Sequence, residues 1–168
     1  FNIDQMSEIS QFTKLDSLQS PYSLFWRIIE KDILNYCQKN KITVLAYSSM
    51  AQGLLTGKFK TGHKFEKGDH RSQNILFQDD NFLNVQTALK KLEPMSSKYN
   101  IKLGQLALVW AFSNPNVCAI AGARNSQQVS ENVKAGSIKI SEDDLVRISE
   151  IGKIVTGSLD DRQIMWNW

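Results

Sequence analysis

Residues 42–58 read ITVLAYSSMAQGLLTGK, and this stretch decides the fold class. Its first part, 42–48, is nearly all apolar, which predicts a buried strand that leads into a glycine-containing loop. Two shorter runs of similar character, at 16–20 and 117–123, are predicted as strands for the same reason. Near-continuous apolar strands are typical of parallel sheets that are covered on both faces.

Helical periodicity fills the intervals between these strands and flanks them. The spacing of apolar residues predicts helices over 3–15, 30–40, 82–99, 103–113, 126–135 and 142–154. Pro94 is predicted to kink or divide the third of them. Strands that alternate with helices indicate βα units with right-handed crossovers and a parallel sheet. Five further strands in front of these three would complete an eight-stranded barrel.

The composition is that of an ordinary globular protein. The 168 residues are 42% hydrophobic and 22% charged, which is ordinary for a single globular domain over 1–168. Residues 157–168 have no clear period and are predicted as a C-terminal tail. The sequence holds no apolar run of the ~18 residues that a membrane helix needs and no signal-peptide pattern at its start, so we expect a cytoplasmic protein without a membrane partner. Cys37 and Cys118 lie outside any metal-binding spacing, which predicts reduced thiols and no metal site.

The excess positive charge is confined to one predicted loop, residues 58–71. The net charge is +3, and this loop holds five basic and two acidic residues, so the rest of the chain is balanced. Nucleic-acid-binding proteins usually spread a basic face more widely, and we therefore expect no nucleic-acid partner. A single basic loop fits a small polyanion such as a pyrophosphate, so we predict that it covers a cofactor. A solvated surface loop would carry the same charges.

The segment at 46–59 carries the first candidate chemistry. It begins at a strand end and contains Gly53 and Gly57, which allow the backbone to approach a phosphate closely. Tyr47, at the end of the strand, offers a flat ring for stacking on a heteroaromatic cofactor. A core tyrosine followed by an ordinary turn would give the same pattern.

The segment at 120–132 carries the second set of candidate binding residues. A strand ends, Gly122 follows, and a predicted helix begins near 125 or 126, where free N–H groups and the helix dipole favour a phosphate. Arg124 can bind a phosphate through two hydrogen bonds. Any amphipathic helix would share part of this pattern. Because sites in β/α barrels form at the carboxyl ends of strands, we expect the two segments to meet.

These residues resemble a known family. Residues 47–58 resemble the strand-seven motif of the aldo-keto reductases, and 122–132 resemble the NADPH motif near their C-terminus. Residues 16–23 are similar to the strand-six segment and 103–110 to the helix before strand eight. The four motifs occur in the family's order. The resemblance implies the C-terminal half of a (β/α)8 TIM barrel, from about the end of strand five, and an NADPH-dependent oxidoreductase that reduces aldehydes or ketones by hydride transfer.

The resemblance also implies roles for residues near the nicotinamide and the pyrophosphate. Tyr47 would stack on the nicotinamide ring, and Gln19 would hydrogen-bond its carboxamide. Five residues would hold the pyrophosphate under the basic loop: Ser48, Met50, Gln52, Lys58 and Arg71. Ser49 replaces the proline that is usual in the family at its position.

The remaining implied roles concern the adenosine end of NADPH. Gly122, Arg124 and Gln128 would surround the 2′-phosphate. Glu131 and Asn132 would hold the adenine. Gln128, Glu131 and Asn132 have the spacing that brings side chains to one helix face.

No catalytic residue is assigned, because the family's catalytic Asp, Tyr, Lys and His belong to its first four strands. His63 and His70 fall in the basic loop and are expected near solvent or phosphate. We therefore expect this chain to need an N-terminal half-barrel as its partner and to be inactive alone. Two alternatives remain: a nucleotide-binding regulatory module resembling the potassium-channel β subunits, and a non-functional remnant that retains the motifs.

Overall fold

A parallel three-stranded sheet lies at the centre of the computed structural model, which describes residues 1–160. The strands are β1 (Ser17–Pro21), β2 (Thr43–Tyr47) and β3 (Val117–Ala119), in the order β1-β2-β3. Both pairings are parallel, as predicted, with Gln19 beside Leu45 and Ala46 beside Ala119. The prediction of a third strand to residue 123 is wrong, because regular pairing stops at Ala119.

Six α-helices accompany the sheet within the described residues: α1 (Ile3–Ile9), α2 (Ile33–Lys39), α3 (Asp79–Lys98), α4 (Leu103–Ser113), α5 (Ser126–Ala135) and α6 (Glu142–Thr156). Four short 3-10 segments lie at Ile28–Glu30, Ala51–Thr56, His70–Gln73 and Ile75–Phe77. The alternation of strands and helices is therefore the predicted one. The helices α3, α4 and α6 pack together, and their apolar faces form the core with the covered face of the sheet.

The first helix is shorter than predicted. It ends at Ile9 instead of continuing to residue 15. The Ser10 hydroxyl donates to the Met6 carbonyl at 2.7 Å, and the next backbone hydrogen bonds tighten to 3-10 spacing. Phe12 fits the helical period but is 84% exposed, so it makes no core contact that would stabilise a longer helix.

Pro94 does not divide α3. The helix runs from Asp79 to Lys98 as one element, and it begins three residues earlier than predicted. Val85, Leu89 and Leu92 are all buried on one side of it. Packing of that face, chiefly against α6, outweighs the loss of the hydrogen bond that a proline cannot donate.

The two faces of the sheet have different surroundings. Leu18, Val44 and Ala46 are buried against the helices. The opposite face carries Gln19 and Cys118, both exposed, within the part of the chain that the structure describes. The strands were predicted to be covered on both faces. Within the described residues, one face is covered and the other is not.

Most of the predicted tail, including Trp166 and Trp168, lies outside the described residues. Within residues 1–160, no helix has the length and apolar character required to span a membrane.

Candidate functional site

A cleft of about 720 Å³ opens at the carboxyl ends of β2 and β3. Its walls are the loop after β2, the loop between β3 and α5, the first turns of α5, and the start of α4. Ten of the twelve residues proposed from the sequence line it: Ser48, Met50, Gln52, Lys58, Arg71, Gly122, Arg124, Gln128, Glu131 and Asn132. The two sequence segments, separated by about sixty residues, therefore meet as expected.

The wall formed by residues 48–58 has an unusual backbone. Ser48, Ala51 and Gln52 have φ angles of 55°, 46° and 54°, in the left-handed region that costs a non-glycine residue about 1–2 kcal/mol. The backbone N–H of Ala51 donates to the Ser48 carbonyl at 2.6 Å. Leu54, just beyond, is fully buried and anchors the turn. Such strain persists where the surrounding packing enforces it, often at ligand sites.

Gly53 continues this turn with φ of 94°, and a side chain there would displace the flexible end of Lys58. A Cβ atom at Gly53 would lie 2.9 Å from Cε of Lys58. The absence of a side chain thus lets the Lys58 ammonium lie against the backbone of the turn.

Three cations meet across the cleft. Burial, together with the nearby Arg71 and Arg124, lowers the pKa of Lys58. Arg71 also binds both carboxylate oxygens of Asp69, with its Nε at 2.8 and 3.1 Å from them. Hydrogen bonds from Arg71 hold the pKa of Asp69 at about 2. The cleft is therefore a positive site that favours an anionic ligand.

The basic loop contributes to this site unevenly. Of its five basic residues, Lys58 and Arg71 line the cleft, whereas Lys60, Lys64 and Lys67 are exposed outside it. Phe59 is buried at the base of the loop. Its ring contacts those of Phe65, Phe77 and His63, with centroids 4.8–5.7 Å apart. His63 thus packs on aromatic rings, and it does not line the cleft.

The opposite wall begins at the N-terminus of α5. The Asn125 side chain caps the helix by accepting from the backbone N–H of Gln128 at 2.9 Å. The Gln128 side chain accepts in turn from the backbone N–H of Arg124 at 2.8 Å. Asn132 donates to the Gly122 carbonyl at 3.2 Å. These polar side chains order the 122–124 loop from the helix.

Sequence reasoning missed residues at the start of α4. Lys102 and Gln105 both line the cleft, and both bind Glu131. Lys102 pairs with its carboxylate, and the Gln105 side chain donates to its carbonyl at 2.9 Å. Two hydrogen bonds lower the pKa of the Glu131 carboxyl: the one from Lys102 has the larger effect, and the one from Gln127 the smaller. The available signal was topological, since helices that return between parallel strands begin near the strands' carboxyl ends.

Gln19 and Tyr47 do not line the cleft. Gln19 lies beside Leu45, and Tyr47 is two residues further along β2, so both belong to the uncovered face of the sheet. Tyr47 is half-buried, and this burial raises the pKa of its hydroxyl. Ser48, the next residue, lines the cleft, so the uncovered face adjoins the cleft at this point.

A metal-dependent site finds no support in the described residues. Residues 1–160 contain no group of three or more histidine, cysteine, aspartate or glutamate side chains that could hold a metal ion. Cys37 is buried and Cys118 exposed, and both are free thiols.

Comparison with known proteins identifies a family. The model of the aldo/keto reductase family matches residues 1–153. An NADH-specific methylglyoxal reductase of Escherichia coli is 33% identical over 151 residues, which are 89% of this chain and 46% of that protein. The aldo-keto reductase YhdN of Bacillus subtilis is 35% identical over 131 residues, or 77% of this chain and 40% of that protein. The chain thus spans less than half the length of both relatives.

Solved structures give a concordant result. The glycerol dehydrogenase of Gluconobacter oxydans superposes with a TM-score of 0.87 at 32% identity, over 98% of this chain and 50% of that one. An aldo-keto reductase of Klebsiella pneumoniae, solved in complex with NADPH, has a TM-score of 0.64 at 23% identity, over 100% of this chain and 49% of that one. The second likeness concerns the fold alone.

Proposed function

Since this chain belongs to the aldo/keto reductase family, we propose that its cleft binds the pyrophosphate and adenosine parts of a nicotinamide dinucleotide, with NADPH preferred over NADH. The observation that carries the proposal is the convergence of the segments 48–58 and 122–132 on one cleft. Ser48, Met50 and Gln52 would then lie along the pyrophosphate.

The charges of the cleft support a ligand with several phosphates. Four cations line it: Lys58, Arg71, Lys102 and Arg124. Among the described residues of the lining, Glu131 is the one acidic residue, and it is paired with Lys102. NADPH carries a third phosphate that NADH lacks, and Arg124 lies beside the capped start of α5, where a phosphate is favoured. The preference for NADPH rests on this arrangement.

We also propose that the three strands are neighbours in an eight-stranded barrel and form its last three strands. Within residues 1–160, one face of the sheet is uncovered, and each outer strand is paired on a single side; both features fit a larger sheet. In such a barrel the uncovered face would line the interior, and Gln19 and Tyr47 would meet the nicotinamide from there.

The reaction proposed for the whole protein is reduction of a small aldehyde or ketone. Bound NADPH would supply the hydride. The residues of this chain would hold the dinucleotide and keep Tyr47 against its ring. The proton for the substrate oxygen would come from an acid on other strands of the barrel. Two relatives are named as reductases and one similar structure as a dehydrogenase. These names favour an enzyme over a regulatory module.

The test is a titration of the 168-residue chain with NADPH and, separately, with NADH, followed by tryptophan fluorescence. Lys58→Ala is compared with Lys60→Ala, because the two lysines are close in sequence and only Lys58 lines the cleft. We expect saturable binding that favours NADPH, a loss of affinity in Lys58→Ala, and wild-type affinity in Lys60→Ala. A folded chain that binds neither dinucleotide, or equal losses in the two variants, would contradict the proposal.

A further inference from the structure

The hydroxyl of Ser49 joins the two walls of the cleft. Ser49 is fully buried, and its Oγ donates to the Ile120 carbonyl at 2.6 Å, across 71 positions of sequence. Ser49 and Ile120 both line the cleft. A buried hydroxyl that donates to a carbonyl on another segment fixes the distance between the two backbones.

This hydrogen bond lies beyond the end of the strand pairing. The register of β2 and β3 ends at Ala46 and Ala119, and the last backbone hydrogen bond runs from the Ile120 N–H to the Ala46 carbonyl at 2.8 Å. At Ser48 the chain then turns away with φ of 55°. Past this point the sheet no longer holds the two segments together, and the Ser49 side chain does.

The residues adjoining this contact belong to the cleft. Ser48 and Met50 flank Ser49, and Gly122 follows Ile120 by two residues; all three line the cleft. A small shift of 48–50 relative to 120–122 would therefore change the spacing of the groups on the two walls.

We propose that Ser49 is a positioning residue, which sets the separation between the two walls and hence the fit of the dinucleotide. The inference rests on the proposed function for the identity of the ligand, but the link itself does not depend on a ligand. Without the hydroxyl, the Ile120 carbonyl loses a donor, and the two backbones are free to separate.

Ser49→Ala tests this inference, with Ser23→Ala as the matched control. Ser23 is also fully buried, and its Oγ accepts from the backbone N–H of Phe25 at 3.3 Å, away from the cleft. Both variants lose one buried hydroxyl, so a general effect on stability should occur in both. Amide hydrogen exchange without ligand and the affinities for NADPH and NADH are measured for each.

In Ser49→Ala we expect faster exchange in both segments, 48–53 and 120–124, and a loss of affinity of about fivefold for both dinucleotides. Ser23→Ala should change neither measurement in these segments. Ser49→Cys, which keeps a weaker donor, should fall between wild type and Ser49→Ala, and it replaces that variant if the alanine form does not fold.

Unchanged exchange in the two segments would overturn the role of Ser49, and so would equal losses of affinity in Ser49→Ala and Ser23→Ala. If the wild-type chain binds no dinucleotide, the proposed function fails, and the exchange measurement alone still decides whether Ser49 holds the two walls together.

Discussion

The two walls of the cleft are built in opposite ways. The wall at 48–58 is an irregular turn with left-handed backbone at several positions, fixed by fully buried residues such as Leu54. The wall at 122–132 is a short loop and a regular helix start, and nearly all of its side chains are exposed. The first wall depends on the core, whereas the second is held by surface polar contacts, among them those from α4 to Glu131.

Because of this difference, substitutions in the two walls should affect stability and ligand binding differently. Substitution of a buried residue in the first wall should disturb the core and the ligand together. A substitution in the second should change ligand affinity and leave folding nearly unchanged, because exposed polar contacts contribute little to stability.

The largest effect is expected from Leu54→Ala in the first wall. Removing this fully buried side chain should lower the free energy of unfolding by about 2–5 kcal/mol. Val129→Ala in the second wall, where the valine is 51% exposed, should stay within about 0.5 kcal/mol. Urea denaturation of both variants measures this, and similar losses in the two would remove the contrast between the walls.

Arg124→Ala should produce the clearest effect in the second wall. The loss of a charge-assisted contact with the 2′-phosphate should weaken NADPH binding about tenfold to a hundredfold. NADH affinity should fall far less, and the free energy of unfolding should stay close to wild type. Calorimetric titration with both dinucleotides checks this, and equal losses for the two would refute the assignment of Arg124 to the 2′-phosphate.

Gln52→Gly should change stability less than Leu54→Ala does, and it should stabilise the chain instead of destabilising it. Gln52 has φ of 54°, and its Oε1 is buried without a hydrogen-bond partner among the described residues. Glycine adopts this backbone without strain, so the free energy of unfolding should rise by about 0.5–1 kcal/mol while dinucleotide affinity falls. Gln38→Gly, at an ordinary helical position in α2, should instead destabilise by about 1 kcal/mol. A loss of stability in Gln52→Gly similar to that in Gln38→Gly would mean that the turn is not strained.

The last effect concerns pH and an anchor outside both walls. Asp144 is buried at the start of α6, and hydrogen bonds from Lys98 and Tyr99 hold its pKa at about 2, below the ordinary 3.8. Its charged form therefore contributes stability above pH 3.8, and this contribution is lost as the pH falls towards 2. Asp144→Asn removes the charge, so the gap between its unfolding free energy and that of wild type should narrow on acidification. A gap that is constant with pH would contradict the assignment.

Much of this architecture follows from sequence patterns. The apolar run before Tyr47 predicts β2, and Asn125 caps α5 close to the predicted start. The patterns are less decisive where distant contacts contribute, as at Pro94, where the helix is not divided. At the end of β3, the Ile120 carbonyl accepts from Ser49 instead of continuing the strand pairing.

The candidate site, too, could be predicted from the sequence only in part. Gly122, Arg124 and the start of α5 have local chemical signatures that point to a phosphate. The pyrophosphate residues such as Ser48 and Gln52 were proposed from the family resemblance. Lys102 has no such signature, since its relevance comes from the return of α4 to the strand ends. The roles of individual residues toward NADPH, the arrangement of residues 157–168 as a tail and the cytoplasmic location stay predictions.

Amide hydrogen exchange of the chain with and without saturating NADPH tests most directly whether both walls bind one dinucleotide. If both walls bind one dinucleotide, peptides covering 48–58 and 122–132 should be protected together, at the same NADPH concentration. Protection of one wall alone, or protection confined to segments outside the cleft, would contradict the account.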